Sequence, residues 1–113
     1  MNHGFCIDFS GENSDVTIIV CGGERVPAHY LVFFTRCKDV CNDIIEANGS
    51  KYLEAWSHLS KNVVLSFLSY LYCGILDLEL NSLEDLSAAK YFRESYPTLQ
   101  IWRSYENHFG QIE

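Results

Sequence analysis

His29, Cys37 and Cys41 are the residues of this sequence with the clearest potential for catalysis. A histidine close to a cysteine can form a nucleophilic pair, in which the imidazole accepts the thiol proton. Both cysteines fall in the apolar stripe of a predicted helix, however, and burial raises the pKa of a thiol and keeps it protonated. No neighbouring segment resembles an oxyanion hole. The pattern favours a structural histidine, and we expect no enzymatic activity and no catalytic residues.

The same residues are the best candidates for a metal site. Cys37 and Cys41 stand four residues apart and would share a helix face, with His29 or Cys21 as further ligands. Structural zinc sites usually combine paired C-x-x-C or H-x₃-H knuckles, and neither occurs here. The remaining histidines have no partners at ligand spacing. We therefore expect neither a metal nor any other cofactor.

Two further motifs have structural explanations. Gly22 and Gly23 match neither GxxxxGK[ST] nor GxGxxG. A tight β-hairpin turn explains both glycines, because the central positions of a primed turn need positive φ. Glu84 and Asp85 fall in the first turn of a predicted helix, where acidic side chains interact favourably with the helix dipole. Neither motif indicates an enzyme.

The composition is typical of one globular domain with one core. The chain has 113 residues, 48% of them hydrophobic, and a formal net charge of −7. Lys and Arg are scattered singly, so most of the surface would repel a phosphate backbone and we expect no direct nucleic-acid binding. No apolar run approaches the ~20 residues that span a bilayer, and the N-terminus lacks the features of a signal peptide. We expect no membrane partner.

The five cysteines indicate the compartment. Their number is odd, and they lie mostly inside apolar segments. A secreted disulfide framework would favour an even number. Free, buried thiols in a reducing intracellular compartment are therefore expected.

The first half of the chain predicts a small sheet. Residues 5–9 alternate apolar and other residues and are predicted to form a short strand, and residues 14–21 are rich in β-branched residues. Both faces of the 14–21 strand are largely apolar, which predicts cover on both sides. Residues 24–29 return as its partner, with Pro27 at the strand's end or on an edge because proline lacks an N–H.

A long helix is predicted next, beginning at Tyr30 and continuing through Ile45, with a break or bend at residues 38–39. Its core stripe is Phe33, Cys37, Val40, Cys41 and Ile44. Residues 48–50 (Asn-Gly-Ser) are predicted to be a stop and a loop, and residues 51–57 a strand.

Three more helices are predicted in the second half. Ser60 caps a helix that ends at Gly74 and buries Val64, Phe67, Leu68, Leu71 and Tyr72. After a brief extended piece, Ser82 caps a helix that turns Leu83, Leu86, Ala89 and Phe92 inward. Ser95 and Pro97 open a last helix, with Leu99, Trp102, Tyr105 and Phe109 along one face. The fold class is therefore α+β, with a small sheet and several helices.

The helix that begins at Tyr30 carries a second apolar face. Leu31 and Phe34 are three residues apart, so they share a face that the core stripe does not use. Phe5, Ile7 and Phe9 form another apolar group without an obvious place in the core. Exposed, such groups would mark a binding site; alternatively, all of them belong to the core. A symmetric partner is the simplest cover, because twofold homodimers are the commonest soluble oligomers.

Three motifs in order resemble the BTB (POZ) domain. SDVTIIV, a turn and RVPAHYLVFFTRC are similar to that family's D-V strand, turn and F-x-A-H-[KR]-x-x-L-x-x-x-S. FLSYLYCGILDL is similar to F-L-x-Y-[IL]-Y-T-G-x-[IL], and NSLEDLSAAKYFRESYPTLQ to N-[VL]-x-x-L-L-x-[AL]-A-x-x-[FY]-x-[VM]-x-x-L. The resemblance covers residues 14–108. Its matching residues in the first motif are Asp15, Val16, Ala28, His29, Phe33 and Cys37, with cysteine at the usual serine.

The resemblance implies a BTB/POZ-like α+β fold, a small sheet flanked by about five or six helices. The domain would span residues 14–113, after a short extension over residues 1–13. It implies a non-enzymatic module that homodimerises a larger intracellular protein and binds other proteins through the dimer groove. Asp15 and His29 would lie near the twofold axis. The expected interface comprises Phe5, Ile7, Phe9, Asp15, His29, Tyr30, Leu31 and Phe34.

Departures from the family pattern refine these expectations. Tyr30 replaces the usual basic residue, and the N-terminal extension is too short for the segment that swaps between subunits in the transcription-regulator branch. A compact dimer through residues 30–37 is expected instead. Tyr30 and the cysteine of Thr-Arg-Cys are similar to the BTB domain of the nuclear scaffold that assembles DNA-repair nucleases. Residues 44–46 (Ile-Ile-Glu) imitate the apolar-x-Glu motif of cullin-binding adaptors, although they fall in the predicted helix. A ubiquitin-ligase adaptor or a transcription regulator is therefore the alternative.

Overall fold

The structure, a computed structural model, describes residues 13–74 and 83–99. The chain divides into two compact units, Met1–Asp77 and Leu78–Glu113. The predicted strand over residues 5–9 and most of the predicted extension lie outside the described residues. The predicted helix after Pro97 lies almost entirely beyond them as well.

The first unit is built on a four-stranded sheet. Its strands are β1 (Val16–Ile19), β2 (Arg25–Ala28), β3 (Ile44–Ala47) and β4 (Ser50–Leu53), in the spatial order β2-β1-β4-β3. β1 pairs antiparallel with β2 and parallel with β4, and β3 and β4 form an antiparallel hairpin. The two edges of the described sheet are therefore β2 and β3.

Four helices occur among the described residues. The first unit has α1 (Tyr30–Arg36), α2 (Lys38–Cys41) and α3 (Lys61–Cys73), and the second has α4 (Leu83–Ser95). A sheet combined with helices confirms the predicted α+β class. None of these helices is long and apolar enough to cross a bilayer.

Both glycines of the first hairpin have the positive φ that was predicted, although the turn is longer than predicted. Gly22 and Gly23 have φ of +84° and +80°, and the Val20 N–H donates to the Glu24 carbonyl oxygen over 2.9 Å. The loop has three residues, Cys21 to Gly23, and not the two of a primed turn. Pro27 lies in the edge strand β2, as predicted, where a missing N–H costs no interior hydrogen bond.

Both faces of β1 were predicted to be buried, but only one of them is buried in the structure. Val16 and Ile18 are buried, whereas Thr17 and Ile19 are half-buried and Cys21 is exposed. β1 is interior to the sheet, so its high β-branched content serves pairing with two neighbours as much as burial.

The prediction of a helix through Ile45 was wrong. α1 ends at Arg36, Cys37 takes φ −155° and ψ +79°, and α2 is a single turn that ends at Cys41. Asn48 and Gly49 have φ of +54° and +80°, which is a type I′ turn, so the predicted loop is the tip of a hairpin. Ile44 and Ile45 lie in β3 opposite Leu53 and Tyr52. Pairing with β4 overrides the helix-like spacing of the apolar residues.

α3 carries the core side of the first unit. The Ser60 hydroxyl accepts the Val63 N–H over 3.3 Å, and Gly74, at φ +83°, caps the other end. The five side chains predicted to be buried on α3 are all buried. Trp56, in the turn after β4, is fully buried, and its ring packs edge-on against Phe33 at 6.1 Å and Phe67 at 5.6 Å. Because β4 ends at Leu53, the strand predicted over residues 51–57 is shorter than expected, and Trp56 lies in the turn that follows it.

The second unit is described through α4 and the residues that follow it. Ala89 and Phe92 are buried as predicted, together with Ala88 and Tyr96, and the Phe92 and Tyr96 rings stack at 6.4 Å. Leu83 is 77% exposed, so its predicted inward position was wrong. Nine residues separate Leu83 from Phe92, which at 3.6 residues per turn places them about 180° apart around the helix.

Candidate interaction surface

Asp15 fixes the start of α1 onto the sheet. Its carboxylate Oδ1 accepts the Tyr30 N–H over 2.8 Å, and its own N–H donates to the Ala28 carbonyl oxygen over 3.0 Å. The first N–H groups of a helix lack partners inside the helix, and a negative charge there is favourable. The exposed Asp15 therefore orients α1 directly after β2.

His29 holds the same junction from the other side. The Tyr72 hydroxyl accepts the His29 N–H over 2.8 Å and lies 3.0 Å from Nδ1 of the same residue. Because the hydroxyl oxygen accepts the backbone proton, its own proton can go to Nδ1, which suits the neutral imidazole protonated at Nε2. Burial, with Asp15 as a lesser cause, raises the pKa of Tyr72 to about 12. His29 is thus a structural residue at the strand–helix corner.

We expect Tyr72→Phe to lower the free energy of unfolding by about 1–3 kcal/mol, because the His29 N–H loses its acceptor in a partly buried site. Urea denaturation followed by circular dichroism measures the change. Tyr70→Phe is the matched control on the same helix, since the Tyr70 ring contacts Phe67 and the substitution keeps that ring. Equal losses in the two variants would contradict the role of the His29–Tyr72 pair.

α1 divides its side chains between the core and the surface. Phe33 is fully buried against Trp56, while Leu31 is 68% and Phe34 46% exposed. Tyr30 stacks on Phe34 with ring centroids 6.2 Å apart. We call the surface formed by Tyr30, Leu31 and Phe34 the α1 face. Its apolar area lies on a helix whose start is fixed by Asp15 and His29.

Two lysines border the α1 face. The Lys38 ammonium lies 4.8 Å from the centroid of the Phe34 ring, and the Lys51 ammonium 5.7 Å from that of Tyr30, both within cation–π range. The pKa of the Tyr30 hydroxyl is raised. The larger cause is a hydrogen bond to the Cys41 side chain, and the smaller one is the electrostatic interaction with Cys41. In a chain of net charge −7, the α1 face is therefore an aromatic surface with a cationic margin.

The structure brings five of the eight expected interface residues together. Asp15, His29 and Tyr30 meet at the start of α1, and Leu31 and Phe34 follow on its exposed side. Phe5, Ile7 and Phe9 lie outside the described residues. Lys38 and Lys51 were not predicted to lie at this surface, although a four-residue spacing from Phe34 could have indicated Lys38. No local signal indicates Lys51, since it reaches Tyr30 only through the pairing of β4 beside β1.

Cys37 has the protonation state that the sequence analysis expected. It is buried, and burial raises the pKa of its thiol to about 11. A thiol with such a pKa is protonated at neutral pH and is a poor nucleophile. Within residues 13–74 and 83–99, no group of three His, Cys, Asp or Glu side chains is placed to hold a metal ion.

The raised pKa of Cys37 makes the protein less stable in alkaline solution. The folded state holds the thiol proton more tightly than the unfolded chain, so this contribution is complete below pH 9 and is lost as the pH rises towards 11. We expect about 2 kcal/mol to be lost by pH 10.5. Urea denaturation between pH 8 and 10.5 measures it as the difference in pH dependence between the unmodified chain and Cys37→Ala. Parallel curves for the two proteins would contradict the assignment.

One cavity among the described residues of the first unit is smaller than a typical small-molecule site. Its volume is about 230 Å³, and Arg36, Tyr70, Leu71 and Gly74 line it. Sites for drug-sized ligands and cofactors usually occupy about 300–1,000 Å³. The α1 face is therefore the better candidate for a functional surface.

No protein-family model and no curated protein matches this sequence. The functional assignment therefore depends on the residues and on their arrangement in the fold.

Proposed function

We propose that this chain is a BTB-like interaction module that forms a homodimer through the α1 face. The observation that carries the proposal is the exposure of Leu31 and Phe34 on a helix that is fixed to the sheet. A solvent-facing leucine and phenylalanine on adjacent turns favour a protein contact over free solvation. A twofold contact places each copy of α1 against the other, so that one patch covers both.

The free energy of association sets a minimum size for the interface. Removing the exposed parts of two Leu31 and two Phe34 side chains from water contributes about 5 kcal/mol. Association costs about 4–15 kcal/mol in lost translational and rotational freedom. Burying these four side chains alone therefore offsets this cost only if it lies at the low end of that range. The proposed interface therefore also includes Tyr30, Asp15 and His29, together with the N-terminal residues Phe5, Ile7 and Phe9.

In this proposal the module is not an enzyme, and it dimerises a larger protein. The resemblance of residues 14–108 to the BTB family supports this role, and Tyr30 with the cysteine of Thr-Arg-Cys favours the nuclear scaffold that assembles DNA-repair nucleases. The dimer groove would bind other proteins. The net charge of −7 agrees with a partner that is a protein and not a nucleic acid.

A cullin-type ubiquitin-ligase adaptor is the second candidate. The motif lies in β3 and not in the predicted helix. Glu46 is exposed, whereas Ile44, the apolar position of the apolar-x-Glu motif, is half-buried, so the motif is partly accessible at the surface. The exposed Glu46 favours this candidate, which differs from the first in its partner and in the surface it uses.

Co-purification tests both candidates. Two copies of the chain with different tags are co-expressed, and one tag is captured. Homodimerisation predicts that the second copy is retained in a stoichiometric amount, whereas its absence would contradict the proposal. Captured chain is then incubated with a purified cullin N-terminal domain. Retention that Glu46→Ala abolishes would support the adaptor, and failure to retain the cullin would contradict it.

A further inference from the structure

β3 is an edge strand of the sheet that the described residues form. Among the described residues it pairs with β4 on one side only. An unpaired edge offers its backbone N–H and C=O groups to another strand. β3 carries one charged residue, Glu46, and no proline.

The turn at Asn48-Gly49 determines which backbone groups of β3 face outward. In a two-residue type I′ hairpin the flanking residues, here Ala47 and Ser50, form a hydrogen-bonded pair. Bonded and non-bonded pairs alternate along an antiparallel ladder. Ile45 and Tyr52 are then bonded to each other. Ile44 and Glu46 direct their N–H and C=O groups away from β4, towards solvent.

The opposite edge, β2, is protected. The Val20–Glu24 hydrogen bond sets the alternation in the β1–β2 ladder, so Val26 bonds to Ile18 and the Pro27–Thr17 pair is non-bonded. Two residues of β2, Arg25 and Pro27, therefore direct their backbone nitrogens outward, and Pro27 has no hydrogen to donate. Proline on an edge strand is a common protection against pairing. The two edges therefore differ, and only β3 can accept a full antiparallel partner.

We infer that a second copy of this chain pairs antiparallel with β3 through its own β3, joining two four-stranded sheets into one of eight strands. The pairing has a twofold axis at Ile45. Ile44 of each copy then exchanges two backbone hydrogen bonds with Glu46 of the other. Ile45 lies directly opposite Ile45 of the second copy.

Charge and hydrogen bonding select this register. Centring the axis on Glu46 would place two carboxylates directly opposite each other, which is destabilising. Centring it on Ile44 would leave Glu46 unpaired. The axis at Ile45 pairs both outward residues and separates the charges.

The apolar pattern of the sheet agrees with the same register. Ile45, Tyr52, Thr17 and Pro27 are consecutive partners across the four strands and share one face. Ile45, half exposed, ends this row at the open edge. Pairing at Ile45 continues the row into the second copy and covers the exposed isoleucine. This contact uses a different surface from the α1 face and does not depend on the proposed dimer.

Disulfide trapping tests the register. Ile45→Cys is introduced with Phe34→Arg and with serine in place of every cysteine except the buried Cys37 (Cys6→Ser, Cys21→Ser, Cys41→Ser and Cys73→Ser). Opposed residues of a non-bonded pair have Cα atoms about 4.5 Å apart, within the range of a disulfide. Under copper–phenanthroline oxidation we expect a covalent dimer on a non-reducing gel. Glu46→Cys in the same background is the matched control, because its two Cα atoms would lie about 8 Å apart, too far for a disulfide.

A proline variant tests the backbone pairing. Glu46→Pro removes the outward N–H and leaves the bonds to β4 in place, so we expect it to abolish the Ile45→Cys cross-link with an unchanged circular dichroism spectrum. Glu46→Ala keeps the N–H and should retain the cross-link. No cross-link at Ile45→Cys, an equal cross-link at Glu46→Cys, or a cross-link that survives Glu46→Pro in the folded protein would each overturn the inference.

Discussion

In the Glu46→Pro background, in which β3 cannot pair with a second copy, Phe34→Arg is expected to convert the homodimer into a monomer. The substitution occurs twice in a twofold interface, and each copy replaces a ring that is 46% exposed on the α1 face with a charged side chain beside Lys38. Loss of a central aromatic side chain costs about 2 kcal/mol or more per site, so the two sites together raise the dissociation constant about 10³-fold. Sedimentation velocity over a concentration series measures this change.

Leu83→Arg is the matched control for Phe34→Arg. Leu83 is also an exposed apolar residue on a helix, and it lies in the second compact unit. In the same Glu46→Pro background, we expect Leu83→Arg to sediment like the chain without a change on α1. If both variants dissociate equally, the effect comes from added charge and not from the α1 face. If neither dissociates, α1 does not form the contact.

Trp56→Ala is expected to cost about 3–5 kcal/mol of the free energy of unfolding. Trp56 is fully buried, and it links α1 to α3 because its ring packs edge-on against both Phe33 and Phe67. Its removal leaves a large cavity where the helices meet. Small domains are stable by about 5–15 kcal/mol, so the variant would lose a large part of its stability. Urea denaturation followed by far-ultraviolet circular dichroism measures it without relying on tryptophan fluorescence.

Two further variants serve as controls for Trp56→Ala. Trp56→Phe keeps an aromatic ring at the centre of the cluster and should lose clearly less stability than Trp56→Ala. Leu83→Ala removes an exposed side chain and should change stability by less than about 0.5 kcal/mol. A loss for Trp56→Ala no greater than that for Leu83→Ala would show that Trp56 does not hold the two helices together.

The elements that short-range signals define were predictable. The hairpin at Gly22-Gly23 follows from the need for positive φ, and the edge position of Pro27 from its missing N–H. The bounds of α3 follow from a serine cap and a glycine at the C-terminal end. In each case the deciding interaction lies within a few residues of the signal.

The elements that depend on distant partners were not predictable from local pattern. Ile44 has helical spacing from Val40, yet it lies in a strand because β4 pairs with it. β4 in turn pairs with β1, whose residues are about 35 positions away in the sequence, and no local motif records that register. Lys51 borders the α1 face only as a consequence of this pairing.

The candidate site was predictable to a similar degree. Helical spacing separates Phe33 from Leu31 and Phe34, and the structure buries the first and exposes the other two. The anchoring of α1 by Asp15 and Tyr72 joins residues 15 and 43 positions apart in the sequence. Such tertiary hydrogen bonds have no signature in hydrophobic periodicity.

Molar mass from light scattering tests the central claim most directly. The unmodified chain has a mass of 13.0 kDa. Self-association through the α1 face predicts twice that mass at micromolar concentration for the Glu46→Pro variant, which cannot pair through β3, and a return to the single-chain mass when Phe34→Arg is added. A single-chain mass for Glu46→Pro across the whole concentration range would contradict the account.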